Sequence, residues 1–396
     1  MEKRGFYIIA NWMQGTAISG GDRIFIELTR RWASKLNIIL FISQEGLEIC
    51  KRENLEKINY KIWSSASNNK YGYFINYCLR TFKGIVNSFQ IKIEKGDIIY
   101  SSSDFWPDSI PAFFVKLRNP ELIWIAGFYL FAPNPWQKIS PYKGKNWFIG
   151  LFFWFTQLPI FWIVKKYADM VFVTSEPDVE KFITDKRDVS RVIVIRGGVD
   201  TRPSAKYFSL NEIIPFEKRK YDACFIGRFH PQKGVLELID IWKDVCKERP
   251  EAKLAVIGTG SLENEIKDKI EGFSLANNIE LLGFRDGEEK YEVFKDSRIV
   301  VHPATYDSGG MAACEAFAWG LPGVSFDLEA LKTYYPKGMI KTPCFELEGF
   351  AKNILRLLDG GELYNSLSKD ALRWAREWDW EIRTREILGQ IKSVCQ

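Results

Sequence analysis

Residues 299–326 read IVVHPATYDSGGMAACEAFAWGLPGVSF, and this stretch decides the fold. An apolar, β-branched run leads into a turn with a glycine pair, and a helical pattern follows that ends at Gly320. Pro322 comes next, before a second apolar run. Glycine at a helix end and proline just beyond it both stop a helix. The stretch therefore predicts strand, loop, helix and strand, the repeating unit of a parallel α/β sheet.

Two carboxylates bracket the glycine pair Gly309-Gly310: Asp307 lies in the loop, and Glu315 lies about one turn inside the helix. A helix start exposes unpaired N–H groups and the positive end of the helix dipole, so the N–H groups of Gly310 and Met311 suit a phosphate. A carboxylate such as Glu315 accepts hydrogen bonds from sugar hydroxyls. The stretch predicts a site for a sugar–phosphate compound, and the alternative is an ordinary strand–helix corner with solvated acids.

A second candidate loop lies upstream, at residues 225–234, which read FIGRFHPQKG. Arg228 and Lys233 follow a predicted strand, and Gly234 opens a predicted helix. A planar guanidinium holds two phosphate oxygens, and an ammonium supplies a second positive charge. The pair would stabilise the negative charge that grows on a departing diphosphate. The alternative is two solvated surface cations, the usual state of these residues.

The alternation of short apolar runs and helical patterns extends along the chain, which predicts a parallel sheet covered by helices in each half. The predicted strands are 5–10, 37–42, 97–101, 121–126, 170–174, 191–195, 222–226, 253–257, 279–282, 299–303 and 323–327. The predicted helices include 22–35, 235–249, 261–271, 288–295 and 310–319.

The amino-acid composition excludes several classes of function. The chain has 396 residues, which fits two domains, and its 55 basic and 50 acidic residues leave a net charge of only +5. No basic stripe stands out, so we predict no nucleic-acid partner. The seven cysteines lie singly, and only two histidines occur. These counts predict neither a disulfide framework nor a metal site, and they fit a reducing cytoplasm.

The two loops together resemble a known enzyme family. Asp307 to Glu315 resembles the Glu-x7-Glu signature of the retaining family-4 glycosyltransferases (glycosyl transferases group 1), with Asp in the first place. Residues 227–234 resemble the family's Gly-Arg-x4-Lys-Gly motif. The resemblance implies an α/β fold of the GT-B type: two Rossmann-like, doubly wound parallel-sheet domains that face each other across a cleft. It covers nearly the whole chain and is weakest over 44–165.

The polar stretch near 197–215 predicts the domain boundary. Gly197-Gly198-Val199-Asp200 resembles the group that ends the family's first domain. Trp380-Glu381 resembles the start of the family's last helix, which returns to the first domain. The resemblance thus implies an acceptor-binding domain at 1–200, joined by a helix at about 378–396, and a donor-binding domain at 201–377.

The resemblance also implies the reaction and its residues. The donor would be a nucleoside-diphosphate sugar, UDP- or GDP-linked, with no other cofactor required. Asp307, Arg228 and Lys233 would be the catalytic residues: Asp307 on the donor sugar hydroxyls, the two cations on the diphosphate. The predicted donor contacts are Gly20, Gly21, Arg228, Lys233, Gly258, Gly309, Gly310, Met311 and Glu315. The turn at Gly258 and the Gly20-Gly21 pair also have a structural alternative, since glycine is common in tight turns.

The first domain lacks one family residue. Many members carry a histidine after the fifth strand, where this chain reads IWIAGF at 123–128. If the anomeric configuration is retained, the departing phosphate itself takes the acceptor's proton, and this route needs no protein nucleophile. The loop at 101–106 would face the acceptor. Asp104 would orient the acceptor hydroxyl, or alternatively cap a helix.

Trp147 to Val164 is 18 residues without a charge, between lysine pairs on both sides. The stretch reaches the lower length limit of a membrane span. We consider a buried helix, a helix in the membrane interface, and a true span, of which the last is disfavoured because the α/β pattern continues on both sides. The second interpretation implies peripheral membrane contact through 143–166 and a lipid-linked acceptor. The expected location is the cytoplasm, with the inner face of the membrane as its variant.

The sequence therefore predicts a retaining hexosyltransferase that moves a sugar from a nucleotide sugar to a glycan or lipid-linked acceptor hydroxyl, in cell-envelope polysaccharide or glycoconjugate synthesis. A degenerate member that binds nucleotide sugars or glycans without turnover is the non-enzyme alternative. An epimerase acting on nucleotide sugars is the other enzyme class, although it would need more acids and a histidine in the cleft.

Overall fold

A computed structural model describes residues 5–14, 18–65, 72–137 and 140–394 of the chain. Internal contacts divide the chain into two compact units. Unit 1 comprises Met1–Pro135, Lys145–Gly197 and Trp380–Gln396, and unit 2 comprises Trp136–Gly144 and Gly198–Asp379. The short piece Trp136–Gly144 thus packs with the second unit. The predicted domain bounds of 1–200 and 201–377 remain a prediction about independently folding domains.

Unit 1 is built on a seven-stranded sheet in its described part, with every neighbouring pair parallel. The strands are β1 (Gly5–Ala10), β2 (Asn37–Ser43), β3 (Asn59–Ser64), β4 (Ile98–Ser101), β5 (Ile123–Gly127), β6 (Met170–Val173) and β7 (Val192–Val194). Their order across the sheet is β3-β2-β1-β4-β5-β6-β7. The central strands are apolar runs because helices cover both faces of a parallel sheet.

The helices of unit 1 are α1 (Gly20–Trp32), α2 (Gln44–Arg52), α3 (Gly72–Ser88), α4 (Trp106–Arg118), α5 (Trp147–Tyr167), α6 (Val179–Phe182) and α15 (Trp380–Val394). The helix α15 lies within the predicted span of about 378–396, and it packs against α1. The Trp32 indole N–H donates to the Thr384 carbonyl (3.1 Å), and Arg31 Nε pairs with Glu381 Oε1 (2.8 Å). The last helix of the chain is therefore an integral part of unit 1.

Unit 2 has a six-stranded sheet, also parallel throughout its described part. The strands are β8 (Tyr221–Ile226), β9 (Leu254–Ile257), β10 (Ile279–Gly283), β11 (Ser297–His302), β12 (Gly323–Phe326) and β13 (Met339–Thr342), in the order β10-β9-β8-β11-β12-β13. The helices are α7 (Arg202–Leu210), α8 (Val235–Glu248), α9 (Glu263–Gly272), α10 (Glu288–Lys295), α11 (Met311–Phe317), α12 (Glu329–Tyr334), α13 (Leu347–Leu358) and α14 (Gly361–Glu377). Two buried apolar clusters cover the two faces of this sheet.

The order of the strands reverses at one point in each sheet. In unit 1 the chain runs from β1 outward to β3 and then crosses to β4; in unit 2 it runs from β8 outward to β10 and then crosses to β11. Ligands of open α/β sheets bind beyond the carboxyl ends of the strands at such a switch point. In unit 2 this point lies between the loops that follow β8 and β11, the two loops that the sequence singled out.

The predicted α/β class with two parallel sheets is confirmed, and so are the strands predicted in both halves to within a few residues. Two strands were not predicted, β3 and β13. Both lie at an edge of their sheet. An edge strand is covered less than a central one, and β3 accordingly carries mostly exposed or half-buried residues in place of an apolar run.

Candidate functional site

The loop after β8 presents two cations that differ in their surroundings. The Gly227 N–H donates to the Ile257 carbonyl (3.0 Å) and the Phe229 N–H to the Thr259 carbonyl (2.9 Å), so the backbone on both sides of Arg228 is fixed. The Arg228 side chain is exposed and makes no hydrogen bond or ion pair with any described residue. It is therefore available to an anion from solvent.

Lys233, by contrast, is engaged within the protein. Its Nζ lies 2.6 Å from Asp307 Oδ2, and only 8% of the Asp307 side chain is exposed. The two residues belong to the loops after β8 and β11, so the structure brings together two of the predicted catalytic residues. An ammonium has three N–H donors, and this ion pair leaves donors on Lys233 for a second acceptor.

The Asp307 carboxylate is used on both oxygens. Oδ1 accepts from the backbone N–H groups of Ser308 (2.9 Å) and Gly309 (3.3 Å), and Oδ2 faces Lys233 and, at 3.4 Å, His302 Nε2. Burial alone would raise the pKa of Asp307, but the Lys233 charge and the His302 contact outweigh it and hold that pKa well below its ordinary value. Asp307 is therefore an anion that organises its loop and fixes Lys233.

The two loops are joined through their backbones. The Gln232 carbonyl accepts from the N–H groups of Thr305 (3.0 Å) and Tyr306 (3.3 Å). At Gly234, which has φ of +63°, an added Cβ would lie 1.8 Å from the Pro303 carbonyl oxygen. Only glycine allows this approach, so Gly234 sets the spacing between the cations of one loop and the carboxylate of the other.

The predicted phosphate-binding glycines lie where expected, and the structure also explains why they are glycines. A Cβ on Gly309 would meet the Tyr334 ring at 2.3 Å, and one on Gly310 would meet the Tyr335 ring at 2.5 Å. The helix α11 begins at Met311 and has seven residues. The Tyr335 hydroxyl is buried and has no hydrogen-bond partner in the described residues. Contact of these glycines with a phosphate stays a prediction.

Glu315 has a partner that the sequence did not reveal. Lys290 Nζ, on α10, lies 2.8 Å from Glu315 Oε2 and 2.7 Å from Asp286 Oδ1. Burial alone would lower the pKa of Lys290, but the charges of Glu315 and Asp286 outweigh it and raise that pKa. The Glu315 side chain keeps about a third of its surface exposed, 30%. Lys290 therefore orients a carboxylate that still reaches solvent.

The loop after β9 contains Gly258, and the structure explains why this residue is a glycine. Gly258 has φ of +154°, and an added Cβ would lie 1.9 Å from the Gly227 carbonyl oxygen. Its N–H donates to the Gly283 carbonyl (2.9 Å). The tight-turn interpretation of Gly258 is thus supported, and its contact with the donor stays a prediction. Phe284, next to Gly283, is 55% exposed on the same side of the sheet, at the strand ends.

Two residues beside the cations were not predicted. Tyr142, from the short piece Trp136–Gly144, stacks edge-on against His230 at 5.7 Å between ring centres, and its hydroxyl accepts from Gln232 Nε2 (3.4 Å). Burial and then the charges of Arg228 and Lys233 lower the pKa of His230 to about 4. His230 is therefore neutral at pH 7, and burial is the main cause of its lowered pKa. Nothing in the sequence near Tyr142 indicates this position.

The other predicted donor contacts, Gly20 and Gly21, open α1 in unit 1, after the switch-point strand β1. Ser19 and Asp22 cap this helix reciprocally: the Asp22 N–H donates to Ser19 Oγ (3.2 Å), and the Ser19 N–H donates to Asp22 Oδ2 (2.9 Å). A Cβ on Gly21 would lie 3.0 Å from the Tyr129 ring. The close packing explains Gly21, and donor binding here stays a prediction.

Asp104 follows β4, on the other side of the switch point of unit 1. The helix-cap alternative is wrong, because Phe105 is the N-cap residue of α4. Asp104 is instead buried and accepts from Gln157 Nε2 of α5 (2.8 Å). Burial raises the pKa of Asp104 to about 6. Its role toward an acceptor hydroxyl stays a prediction.

The described residues contain no cluster of three or more His, Cys, Asp or Glu side chains suited to a metal ion. The predicted charged groups of unit 2 thus lie in or just after the loops that follow β8 and β11: an exposed guanidinium, an ammonium held by a buried carboxylate, and a carboxylate oriented by a buried lysine. This set suits a ligand that carries both phosphate and hydroxyl groups.

Comparison with known proteins agrees with this geometry. Residues 209–374 match the family model described as "Glycosyl transferases group 1". Those residues are therefore similar to the catalogued domain of that family. All of the predicted unit 2 site residues lie within the matched range. The matched range covers less than half of the chain, and unit 1 lies outside it.

Two curated relatives match parts of the chain. The poly(glycerol-phosphate) alpha-glucosyltransferase of Bacillus subtilis is 25% identical over 170 residues, which is 42% of this chain and 25% of that protein. An uncharacterized glycosyltransferase of Methanocaldococcus jannaschii is 28% identical over 212 residues, 51% of this chain and 55% of that protein. The chain thus spans from a quarter to about half of the length of these relatives.

Solved structures extend the likeness to the whole chain at the level of fold. The crystal structure of Anabaena HepE in complex with UDP and glucose matches 99% of this chain and 100% of that chain, with a TM-score of 0.70 and 14% identity. An identity this low shows the fold alone. The fold of the whole chain is therefore that of the GT-B glycosyltransferases, as the resemblance implied.

Proposed function

We propose that the protein is a retaining glycosyltransferase that moves a hexosyl unit from a nucleoside-diphosphate sugar to an acceptor hydroxyl. The observation that carries this proposal is Arg228, exposed and without a hydrogen-bond or ion-pair partner among the described residues, beside the Lys233–Asp307 pair. Both lie at the switch point of the sheet, within the range that matches the glycosyl transferases group 1 model. The family match and the two neighbouring cations, Arg228 and Lys233, favour a diphosphate ligand there.

In the proposed reaction, Arg228 and the remaining donors of Lys233 bind the diphosphate. The bond between the sugar's anomeric carbon and the diphosphate oxygen breaks, and the acceptor oxygen forms its bond to that carbon on the same face. The acceptor's proton passes to the departing phosphate oxygen, so no protein base is required. The two cations stabilise the charge that develops on the leaving group. Because Asp307 already fixes Lys233, little reorganisation is needed when the donor binds.

The remaining predicted residues have supporting roles in this proposal. Glu315, oriented by Lys290, would bind the ribose hydroxyls, and the N–H groups of Gly310 and Met311 would bind phosphate. The donor base is uracil or guanine, and the UDP and glucose complex of HepE favours uracil by analogy of fold. Neither a metal ion nor a further cofactor enters the proposed reaction.

We further propose that the acceptor is a glycan or a lipid-linked glycan of cell-envelope polysaccharide or glycoconjugate synthesis. The poly(glycerol-phosphate) named for the Bacillus relative favours a polymer of this kind. The protein would act in the cytoplasm, with peripheral membrane contact through residues 143–166. The acceptor would bind unit 1, near Asp104 and the Gly20-Gly21 helix start.

The test is release of free nucleotide from UDP- and GDP-sugars, with and without candidate acceptors. We expect wild-type protein to release nucleotide from one of them. Arg228→Ala and Lys233→Ala should each reduce the rate by roughly a hundredfold or more, the loss typical of a removed charge-stabilising donor. Arg373→Ala is the matched control, because Arg373 is an exposed arginine of the same unit on α14. Equal losses in all three variants would contradict the proposal.

A binding protein without turnover is the second candidate, favoured by the internal use of both Asp307 oxygens. The same assay separates it. A thermal shift with UDP or GDP that Arg228→Ala removes, without nucleotide release over hours, would establish binding alone. Conversion of the donor sugar to its epimer, measured by chromatography of the same samples, would identify an epimerase.

A further inference from the structure

The helix α5 carries its polar residues inward and its aromatic residues outward. Thr156 and Gln157 are buried, at 5% and 6% exposure, whereas Phe148, Phe155 and Trp162 are exposed at 69%, 66% and 64%. Water-facing helices show the reverse arrangement, with an apolar stripe toward the core. Among the described residues, α5 is the one helix that is long and apolar enough to cross a membrane, by length and composition. Only 28% of its 18-residue apolar stretch is buried.

The inward orientation is fixed by hydrogen bonds. Gln157 Nε2 donates to Asp104 Oδ2 and to the Leu130 carbonyl (2.8 Å each), and Gln157 Oε1 accepts from the Ala132 N–H (2.7 Å). The Trp106 indole N–H donates to the Thr156 carbonyl (2.7 Å). Rotating α5 to bury its aromatic rings would leave these polar groups unpaired, at a large free-energy cost. The apolar outer surface is therefore a built feature of unit 1.

The helix α3 extends this surface. Right-handed crossovers place α3, α4 and α5 on the same side of the sheet, since their strands progress in one direction from β3 to β6. The rings of Phe74 on α3 and Phe152 on α5 touch edge to face, with 4.6 Å between their centres. The exposed apolar side chains of α3 and the residue after it are Tyr73, Phe74, Ile75, Phe82, Val86 and Phe89, and those of α5 are Phe148, Ile149, Phe155, Leu158 and Trp162.

We call the outer surface of these two helices the α3–α5 face. It holds 11 of the 21 large apolar side chains that are exposed in the described residues. A concentration of this kind marks an interaction surface, whereas exposed apolar residues scattered singly need no explanation.

The charges of the α3–α5 face have one sign. Neither helix contains an aspartate or a glutamate. Lys83 lies on α3, Lys165 and Lys166 end α5, and the Arg118 guanidinium lies 4.4 Å from the centre of the Phe89 ring. Basic side chains at the margin of an aromatic surface suit the headgroup region of an anionic bilayer, where the rings reach the acyl boundary. A second copy of the chain would bring like charges together without acids to compensate.

We propose that the α3–α5 face docks on an anionic phospholipid bilayer, with α3 and α5 lying in the membrane interface. This inference deepens one part of the proposed function, the membrane contact at 143–166, by adding α3, the orientation of α5 and the charge of the lipid. It does not depend on the transfer reaction, because docking requires neither donor nor acceptor. An experiment can therefore contradict the membrane docking without contradicting the glycosyl transfer, and the reverse.

The test is co-sedimentation of the full chain with vesicles, in the absence of any nucleotide sugar. Vesicles of phosphatidylcholine alone are compared with vesicles of equal parts phosphatidylcholine and phosphatidylglycerol. We expect binding to the anionic vesicles that weakens as salt is added. The triple variant Phe148→Ser, Phe155→Ser, Trp162→Ser should bind at least about tenfold more weakly, since it removes three large apolar anchors.

Two further variants sharpen the test. Ile62→Ser, Leu210→Ser, Ile213→Ser removes three comparably exposed apolar side chains elsewhere and should bind like wild type. Lys165→Gln with Lys166→Gln should reduce the preference for phosphatidylglycerol. Retained binding in the aromatic variant, or an unchanged preference in the lysine variant, would overturn the proposal. Sedimentation velocity without lipid covers the competing occupant: a dimer that the aromatic variant dissociates, with no vesicle binding, would make the face a protein interface.

Discussion

Replacing Gly234 with alanine should destabilise unit 2 far more than the backbone angle alone explains. The new Cβ would lie 1.8 Å from the Pro303 carbonyl oxygen and 2.8 Å from its carbonyl carbon. An ordinary carbon–oxygen contact is about 3.3 Å, so one of the two loops would have to move by roughly 1.5 Å. Neither contact is with the end of a flexible side chain, so the backbone itself must shift.

The size of the effect can be divided into two parts. A non-glycine residue in the left-handed region costs about 1 kcal/mol, and forcing an extra carbon into a packed region costs about 1–3 kcal/mol more. Gly283 isolates the first part, because it has φ of +68°, close to the +63° of Gly234, and no atom within 4 Å of an added Cβ. We therefore expect Gly234→Ala to lose about 2 kcal/mol more stability than Gly283→Ala.

Urea unfolding of the two variants and the wild type measures this difference. A gap of about 2 kcal/mol corresponds to roughly 4–8 °C in melting temperature for a unit of this size, so a thermal scan is a second readout. Equal losses in Gly234→Ala and Gly283→Ala would refute the view that close contact with Pro303 sets the spacing of the two loops. A melting temperature of Gly234→Ala at or above the wild-type value would refute it as well.

Three other results are expected. Asp307→Asn should lower the free energy of unfolding at pH 7 by about 2 kcal/mol, because it leaves the Lys233 charge unpaired. The pKa of Asp307 in the folded protein lies below its unfolded value near 3.9, so the stability difference from wild type should be complete above about pH 4 and shrink as pH falls. Urea titrations at several pH values measure this, and a pH-independent difference would contradict the ion pair. Lys290→Met should lower the free energy of unfolding by roughly 2 kcal/mol, measured with urea, because Glu315 loses the cation that orients it. For the same reason it should weaken the binding of UDP or GDP, measured by calorimetry. Unchanged stability and binding would count against this role of Lys290. Among the described cysteines, Cys78 is the exposed one, so a thiol reagent should modify it first in the native protein. Peptide mass spectrometry identifies the modified residue, and faster labelling of the buried cysteines would contradict their burial.

Much of the donor-side geometry could be predicted because it is local. Arg228 and Lys233 lie on the loop after one apolar strand, and Asp307 lies on the loop after another, with Glu315 in the helix that this second loop opens. Parallel strands bring such loops to one edge of a sheet, so their proximity follows from the strand pattern alone. The assignment of the helix at 380–394 to unit 1 followed from the family resemblance.

The residues that sequence reasoning missed act through partners distant along the chain. Lys290 reads as one more charge on a polar helix until its burial between Asp286 and Glu315 is seen. Tyr142 reaches the site from a short piece that belongs to the other half of the sequence. The spacing of apolar residues along a helix or strand indicates which side of it is buried. It does not indicate which residues that side packs against.

The position of α15 has a consequence for how the protein folds during synthesis. Trp32 and Arg31 on α1 obtain their partners only when Thr384 and Glu381 have been made. By then the described strands of unit 2, which lie between residues 221 and 342, have all been synthesised. A chain cut after residue 379 would therefore keep every described strand of both sheets and would lack the helix that packs against α1.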